Sequence, residues 1–220
     1  MILIGQYDSP FVRRAAAALH HHGHDFERQV SSTFAHFEEV RAANPLGKVP
    51  VLILEDGTAL PDSRAILEYL DLEAPAGQRL LPNGPAALAV LRTEAVANGL
   101  AEKTYERGIE VNRRAPGSQD PDWMARLETQ IASALDWLEP LAGPGWLVAD
   151  RLSRADLALT TALTFLARKQ PQLFDATRCP NLAAYRGRAE ETPVFAACPY
   201  SETEARATGW RPEAEISHDM

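Results

Sequence analysis

The spacing of hydrophobic residues in the first third of the chain changes several times, and each change predicts a new element. Short apolar runs predict β-strands over residues 2–6, 26–30, 49–54 and 58–60. Apolar residues recur at helical spacing from Pro10 to Gly23, over 34–43 and from Ser63 onward, which predicts helices. The Asp56-Gly57 pair between the last two strands is typical of a hairpin turn. The predicted order is β-α-β-α-β-β-α.

This order defines the fold class, α/β followed by all-α. A βαβ unit followed by an antiparallel hairpin and a covering helix is typical of a thioredoxin-like domain, which we place at residues 1–76. Residues 74–85 contain three prolines and two glycines, and we place a linker at 77–85. Helical spacing over 86–114, 121–141 and 154–169, with shorter segments near 180–190 and 193–197, predicts an all-α domain over 86–200. Polar residues 201–220 predict a loosely docked C-terminal tail.

Composition narrows the classes of protein that fit. The 220 residues are 45% hydrophobic and 24% charged, as in globular proteins with a substantial core. The formal net charge of -8 argues against nonspecific binding to nucleic acids or anionic membranes. The sequence has no apolar run of about 18 residues, which would predict a membrane span, and no signal-peptide pattern. We therefore expect a cytoplasmic protein.

Histidine and cysteine give little support for a metal or redox site. Four histidines lie between residues 20 and 24, but no nearby cysteine or acidic residue completes a tetrahedral set. The cluster ends a predicted helix, where histidine is electrostatically favourable. Cys179 and Cys198 lack the CxxC spacing of a redox dithiol. We predict no metal site.

One motif of the helical domain is assigned to stability. Ser153 and Asp156 have the spacing of a capping box, with aspartate in place of the usual glutamate or glutamine. Such a pair satisfies free backbone N–H groups at the start of a helix, so we expect it to stabilise the helix that begins at Arg154.

Three short motifs in the thioredoxin-like domain carry the candidate chemistry. Ser9-Pro10 and Asp62-Ser63 are helix starts, where a side-chain oxygen ordinarily caps free backbone N–H groups. Val49-Pro50 opens a strand and ordinarily marks an edge position. The same geometry places hydroxyls and N–H groups at the positive ends of two helices, where anions are stabilised. Together the motifs suit an extended peptide that carries a thiol, an ammonium and carboxylates.

In this order, the stretches Tyr7–Arg14, Asn44–Pro50 and Leu60–Ile66 resemble the cytosolic glutathione transferases, and Ser-Pro-Phe is similar to serine-type tau-class and bacterial members. The resemblance implies that the Ser9 hydroxyl is catalytic and stabilises the thiolate of bound glutathione. Lowering a thiol pKa of about 8.5 by two units requires about 2.7 kcal/mol, which a charge-assisted hydrogen bond and the helix dipole can supply together. Tyr7 remains the alternative, because other classes use a tyrosine on the first strand. Because Tyr7 precedes Ser9, we interpret it as a neighbour of the site and not as the catalytic residue.

The resemblance also assigns the contacts with glutathione. It implies a cis peptide bond between Val49 and Pro50, with the Val49 backbone pairing with the cysteinyl part of glutathione. Lys48 would face the glycine carboxylate, Ser63 would bind the γ-glutamyl carboxylate, and Asp62 would face the ammonium. Glutathione is then a co-substrate, and no other cofactor is expected.

The function implied by the resemblance is that of a glutathione S-transferase, which ionises bound glutathione and conjugates it to an apolar electrophile, as in detoxification. We expect an apolar electrophile pocket lined by Phe11 and by helices around 95–113. We also expect a homodimer. Two alternatives stay open: a non-catalytic binding or regulatory relative, and a glutathione-dependent isomerase or peroxidase. The complete set of site residues argues against the first, and the absence of cysteine from the motif around Ser9 argues against the isomerase.

Overall fold

The computed structural model describes residues 1–115 and 117–207, and the chain divides into two compact units. The N-terminal unit contains Met1–Gly84 together with the described residues from Glu190 onward, and the helical unit contains Pro85–Ala189. The first is built on a four-stranded sheet and the second from helices, which confirms the predicted fold class.

The elements of the N-terminal unit follow the predicted order. They are β1 (Ile2–Ile4), α1 (Pro10–His21), β2 (Glu27–Gln29), α2 (Phe37–Ala43), β3 (Val51–Ile53), β4 (Ala59–Pro61) and α3 (Ser63–Glu73). The strand order in the sheet is β2-β1-β3-β4, with β1 parallel to β2 and antiparallel to β3, and β3 antiparallel to β4. Each strand is three residues long, so β1, β2 and β3 are shorter than the apolar runs suggested, whereas β4 has the predicted length and is shifted by one residue.

Helix α1 lies at the centre of the N-terminal unit and packs against α3. Pro10 occupies a first-turn position, where its missing N–H has no intrahelical partner to lose, and Gly23 follows the helix with a positive φ of 72°. Every residue of α1 from Val12 to Leu19 is buried. The outer strand β2 is exposed throughout, as expected for a charged edge strand.

The register of the sheet brings three loops to one end of it. Ile4, the last residue of β1, is opposite Val51, the first residue of β3, and Val51 is opposite Pro61, the last residue of β4. The turn after β1, the loop before β3 and the turn after β4 therefore share one end of the sheet. Adjacent strands are about 4.8 Å apart, so these loops start within about 10 Å of one another.

The helical unit matches the predicted helices closely. Its elements are α4 (Pro85–Arg113), α5 (Pro121–Leu138) and α6 (Arg154–Lys169), followed by α7 (Pro180–Glu190), whose last residue groups with the N-terminal unit. The long helix α4 packs against both α5 and α6. Among the described residues, no helix combines the length and apolar character needed to span a bilayer.

The C-terminal part of the chain differs from the prediction of a helical domain ending at 200 and a loose tail over 201–220. Two further helices, α8 (Pro193–Ala196) and α9 (Glu202–Ala207), group with the N-terminal unit. Phe195 and Ala205 are buried there. The polar sequence after Tyr200 concealed this docking, because its hydrogen bonds are to residues almost 200 positions away. The rest of the predicted tail, 208–220, lies outside the described residues.

Candidate functional site

Ser9 begins the α1 helix, as the sequence indicated. Its backbone is extended, and its Oγ accepts a hydrogen bond from the backbone N–H of Val12 at 3.4 Å. The side chain is half-buried. A hydroxyl that accepts one bond keeps its own proton for donation, so capping the helix and donating to an anion are compatible roles. The position also lies at the positive end of the helix dipole.

The loop before β3 presents its backbone in a fixed shape. The Val49–Pro50 peptide bond is cis. Asn44 is buried and closes the loop from inside, because its Nδ2 donates to the Lys48 carbonyl at 2.8 Å and its Oδ1 accepts from Leu46 N–H at 3.1 Å. Gly47 has a φ of 62°, and a Cβ on it would overlap the Phe37 ring. Lys48 is exposed, so its ammonium is available at this end of the sheet.

The start of α3 holds the second pair of predicted residues. Asp62 caps the helix, since its Oδ1 accepts from the backbone N–H of Arg64 at 2.7 Å. Its φ of 73° is seldom adopted by residues other than glycine, and its own N–H donates to the Pro50 carbonyl at 3.2 Å. This bond joins the α3 start directly to the loop before β3. Asp62 is exposed, whereas the neighbouring Ser63 is buried.

Arg14 is a site residue that the sequence analysis did not single out. Its guanidinium donates to Ser63 Oγ from Nε at 2.9 Å and from Nη2 at 2.6 Å. Arginine has donors only, so Ser63 Oγ accepts these bonds and its hydroxyl proton is directed to a further acceptor. A buried cation beside a helix N-terminus also favours an anion there. The signal was present in the sequence, because two adjacent arginines, Arg13 and Arg14, precede a run of apolar residues in this helix.

The adjacent Arg13 has a structural role. Its guanidinium forms a bidentate pair with Glu190, at 3.0 Å and 2.7 Å, and its Nε donates to the Cys198 carbonyl at 2.9 Å. These bonds attach the C-terminal segment to α1. Phe11, between the two motif residues and the arginines, is partly exposed, and the Arg14 guanidinium lies 5.6 Å from its ring centroid.

Tyr7 lies in a closed environment. Only 5% of the residue is exposed, and the guanidinium of Arg28 lies over its ring, 3.4 Å from the ring centroid. Burial raises the pKa of the Tyr7 hydroxyl to about 12, and the negative charge of Glu204 contributes in the same direction. A weaker acid is a weaker hydrogen-bond donor to a thiolate, so this environment does not favour Tyr7 as the activating hydroxyl.

The histidine cluster does not assemble a metal site among the described residues, where no group of three or more metal-ligating side chains comes together. His21 Nε2 contacts the Gln78 carbonyl at 3.2 Å, and His22 Nε2 lies 3.6 Å from Asp71 Oδ1. Cys179 and Cys198 are free and buried.

Comparison with known proteins connects this geometry to a family. The family model of the glutathione S-transferase N-terminal domain matches residues 3–79, and that of the C-terminal domain matches residues 121–188. The uncharacterized GST-like protein YibF of Escherichia coli K12 is 35% identical over 169 residues, which cover 76% of this chain and 82% of YibF. The glutathione S-transferase GstA of Escherichia coli O157:H7 is 29% identical over 69% of this chain and 72% of its own.

Solved structures give the same result over most of the chain. A glutathione S-transferase of Methylobacterium radiotolerans in complex with glutathione sulfonate has a TM-score of 0.84 and 33% identity, covering 92% of this chain and 96% of its own. One from Methylobacillus flagellatus with glutathione bound has a TM-score of 0.81 and 29% identity, covering 91% and 99%. The fold and the two matching family models define a glutathione-transferase-type protein. This chain belongs to the glutathione S-transferase family.

Proposed function

We propose that this protein is a glutathione transferase, which ionises bound glutathione at Ser9 and transfers the thiolate to an electrophilic carbon. The observation that carries the proposal is the convergence of three loops at one end of the sheet. Support comes from the register of the sheet, in which the strand ends nearest in sequence to Ser9, Val49 and Ser63 lie side by side. The bonds from Asp62 N–H to the Pro50 carbonyl and from Arg14 to Ser63 connect these loops to one another.

The polar groups at this end match the parts of glutathione. Ser63, fixed by Arg14, has a hydroxyl proton to donate to the γ-glutamyl carboxylate, and the exposed Asp62 carboxylate suits the ammonium. The Val49 backbone pairs with the cysteinyl part, and the exposed Lys48 suits the glycine carboxylate. Relatives support this ligand, since the Methylobacillus flagellatus structure contains glutathione. Glutathione is a co-substrate in this proposal.

Catalysis then requires two things of the protein. The Ser9 hydroxyl donates a hydrogen bond to the glutathione sulfur at the positive end of α1, which stabilises the thiolate over the thiol, and the thiol proton leaves to water. Holding the thiolate beside an apolar electrophile supplies the entropic part of the acceleration. Phe11, partly exposed in the first turn after Ser9, is positioned to contact the electrophile.

The proposal also includes a cytoplasmic homodimer. Support for the dimer comes from the exposed apolar residues of the 29-residue helix α4, where Leu88 is 64% exposed and Leu91 is 45% exposed. Light scattering at micromolar concentration should give twice the 24.1 kDa mass of one chain. A mass of one chain would contradict the dimer and leave the glutathione site untouched.

The test of function is the Ser9→Ala variant. Because the hydrogen bond forms mainly with the thiolate, kcat and kcat/KM should fall together while glutathione affinity changes little. The pKa of bound glutathione should rise by about one unit or more, equivalent to about 1.4 kcal/mol, as measured by ultraviolet absorbance of the thiolate against pH.

The control is Ser133→Ala, because Ser133 is an exposed serine on α5. It should titrate like the unmodified protein. An unshifted thiolate titration in Ser9→Ala would remove Ser9 from the catalytic role. Assays of halonitroarenes, enals, hydroperoxides and disulfides with glutathione then separate conjugation from peroxidase and disulfide chemistry. Failure of the unmodified protein to bind glutathione in a calorimetric titration would overturn the proposed function itself.

A further inference from the structure

The turn that presents Ser9 is short. It runs from Gln6 to Ser9 between β1 and α1, and the Ser9 N–H donates to the Gln6 carbonyl at 3.1 Å. Gln6, Tyr7 and Asp8 are all buried. The direction of the Ser9 hydroxyl therefore depends on what holds Gln6 and Tyr7 in place.

Helix α9 supplies that support from the far end of the chain. The Glu204 carboxylate accepts a hydrogen bond from the backbone N–H of Tyr7, with 2.6 Å between Tyr7 N and Oε2. The backbone carbonyl of Glu204 accepts a second bond from Gln6 Nε2 at 3.1 Å. Glu204 thus binds two consecutive residues of the turn, Tyr7 through its backbone N–H and Gln6 through its side-chain amide.

Arg28 completes the contact by neutralising the carboxylate. Its Nη2 donates to both oxygens of Glu204, at 3.0 Å and 2.9 Å, while its guanidinium lies over the Tyr7 ring. The Glu204 side chain is 16% exposed and the Arg28 side chain 29% exposed, so the carboxylate is mostly covered while the guanidinium lies at the surface of the edge strand β2. Charge-assisted bonds of this kind are shorter and stronger than neutral ones.

We propose that Glu204 is a positioning residue for glutathione activation, which holds the Gln6–Ser9 turn so that the Ser9 hydroxyl is directed at the sulfur. This inference rests on the proposed function. Glu204 acts only through the turn and does not itself contact glutathione. Small displacements of a catalytic group are costly to rate, so release of the turn should weaken thiolate stabilisation while the contacts made by Ser63 and Lys48 persist.

The experiment compares two substitutions at Glu204 with a matched one at Glu202, which is exposed on the same helix. Glu204→Ala should lower kcat about tenfold, the size expected for loss of one hydrogen bond to a charged group. It should also raise the pKa of bound glutathione, with glutathione affinity changed less than about twofold. Glu204→Gln keeps an acceptor for Tyr7 N–H and should recover part of the loss. Glu202→Ala should behave as the unmodified protein does.

Two further measurements separate positioning from a general loss of stability. In a Ser9→Ala background, Glu204→Ala should cause no additional shift of the thiolate titration, because the hydroxyl through which it acts is absent. In the ligand-free protein, Glu204→Ala should speed amide hydrogen exchange at Tyr7 and Ser9 while exchange in β3 stays slow. If Glu204→Ala fails to fold, Arg28→Gln takes its place, with a smaller shift in the same direction.

The inference is overturned if Glu204→Ala titrates like the unmodified protein, or if its effect persists undiminished in the Ser9→Ala background. These outcomes differ from failure of the proposed function, in which the unmodified protein neither binds glutathione nor stabilises its thiolate. The hydrogen-exchange result is independent of glutathione and tests the contact of α9 with the turn directly.

Discussion

Two serines at helix starts, Ser9 on α1 and Ser153 on α6, look alike in the sequence and are used in opposite ways. Ser153 is buried, and both its N–H and its Oγ donate to Asp156 Oδ2, at 2.9 Å and 2.6 Å. The other oxygen of Asp156 accepts from Leu147 N–H at 2.9 Å and from the Tyr185 hydroxyl at 2.7 Å. Every polar atom in this cluster is committed to a partner within the helical unit.

Ser9 is the reverse case. It is half-buried, accepts one bond of 3.4 Å from Val12 and retains its hydroxyl proton. Ser63, at the α3 start, accepts from Arg14 and also retains its proton. The comparison teaches that a helix start becomes a candidate binding site when its capping group still has a donor to offer. A helix start whose capping group has no bond left to form is a structural lock.

The sharpest test of this contrast is Asp156→Ala. Removing the carboxylate leaves the buried Ser153 N–H and Tyr185 hydroxyl and the partly buried Leu147 N–H without this acceptor, so the free energy of unfolding should fall by about 3–5 kcal/mol. Urea denaturation followed by circular dichroism measures the change. Asp136→Ala is the control, because its pair with Arg178 is exposed and should contribute less than about 1 kcal/mol. A loss at Asp156 no larger than the control's would show that the cluster is not a lock.

Cys198 provides a corresponding test in the N-terminal unit, because its thiol is a buried polar group. Burial raises the pKa of its thiol from 9.0 to about 12. Between pH 9.0 and about 12, the Cys198 thiol is deprotonated in the unfolded chain and protonated in the folded protein. The free energy of unfolding therefore falls as pH rises through this range, and this thiol does not affect it below pH 9. At a pH about one and a half units above the pKa of the thiol in the unfolded chain, the loss of stability reaches about 2 kcal/mol.

Urea denaturation at a series of alkaline pH values should therefore show a flatter stability profile for Cys198→Ala than for the unmodified protein. Cys198→Ser, which has no thiol to ionise, should give the same flattening. Parallel profiles for all three proteins would mean that the thiol ionises equally well in the folded state.

Ser63→Ala tests a helix start that still has a hydrogen-bond donor to offer. Loss of a hydrogen bond to the γ-glutamyl carboxylate should weaken glutathione binding by about 1–3 kcal/mol in calorimetric titration. Ser133→Ala, on exposed α5 surface, should leave the affinity unchanged. Affinity in Ser63→Ala equal to that of the unmodified protein would remove Ser63 from the site.

The sequence predicted the fold well because its signals are local. Helix α6 begins and ends at the predicted residues, since Ser153 and the apolar spacing after Arg154 define it without reference to the rest of the chain. The order of strands and helices before Ala74 was predicted from changes in the spacing of hydrophobic residues and from Pro10, Gly57 and Asp62. The strand register, which brings the loops containing Ser9, Val49 and Ser63 to one end of the sheet, came from the structure and not from the sequence.

The contacts that the sequence did not predict join residues far apart in it. Arg14 and Ser63 are 49 positions apart, and Tyr7 and Glu204 are 197 apart. No periodicity connects such pairs, and a polar stretch that docks through a carboxylate resembles a solvent-exposed tail. The adjacent arginines Arg13 and Arg14 illustrate the limit, because consecutive helix residues face different directions and these two bind different partners.

The smallest expected effect belongs to Tyr7→Phe, and it decides between the two candidate hydroxyls. The substitution removes only the phenolic oxygen, while the backbone N–H keeps its bond to Glu204 and the ring stays under Arg28. Because burial holds the pKa of Tyr7 at about 12, its hydroxyl is a weak donor, and the thiolate titration should move by less than about 0.3 pH units. A shift of a full unit in Tyr7→Phe, together with an unshifted titration in Ser9→Ala, would exchange the two roles. The start of α1 would then be a lock like the start of α6, and the contrast between them would disappear.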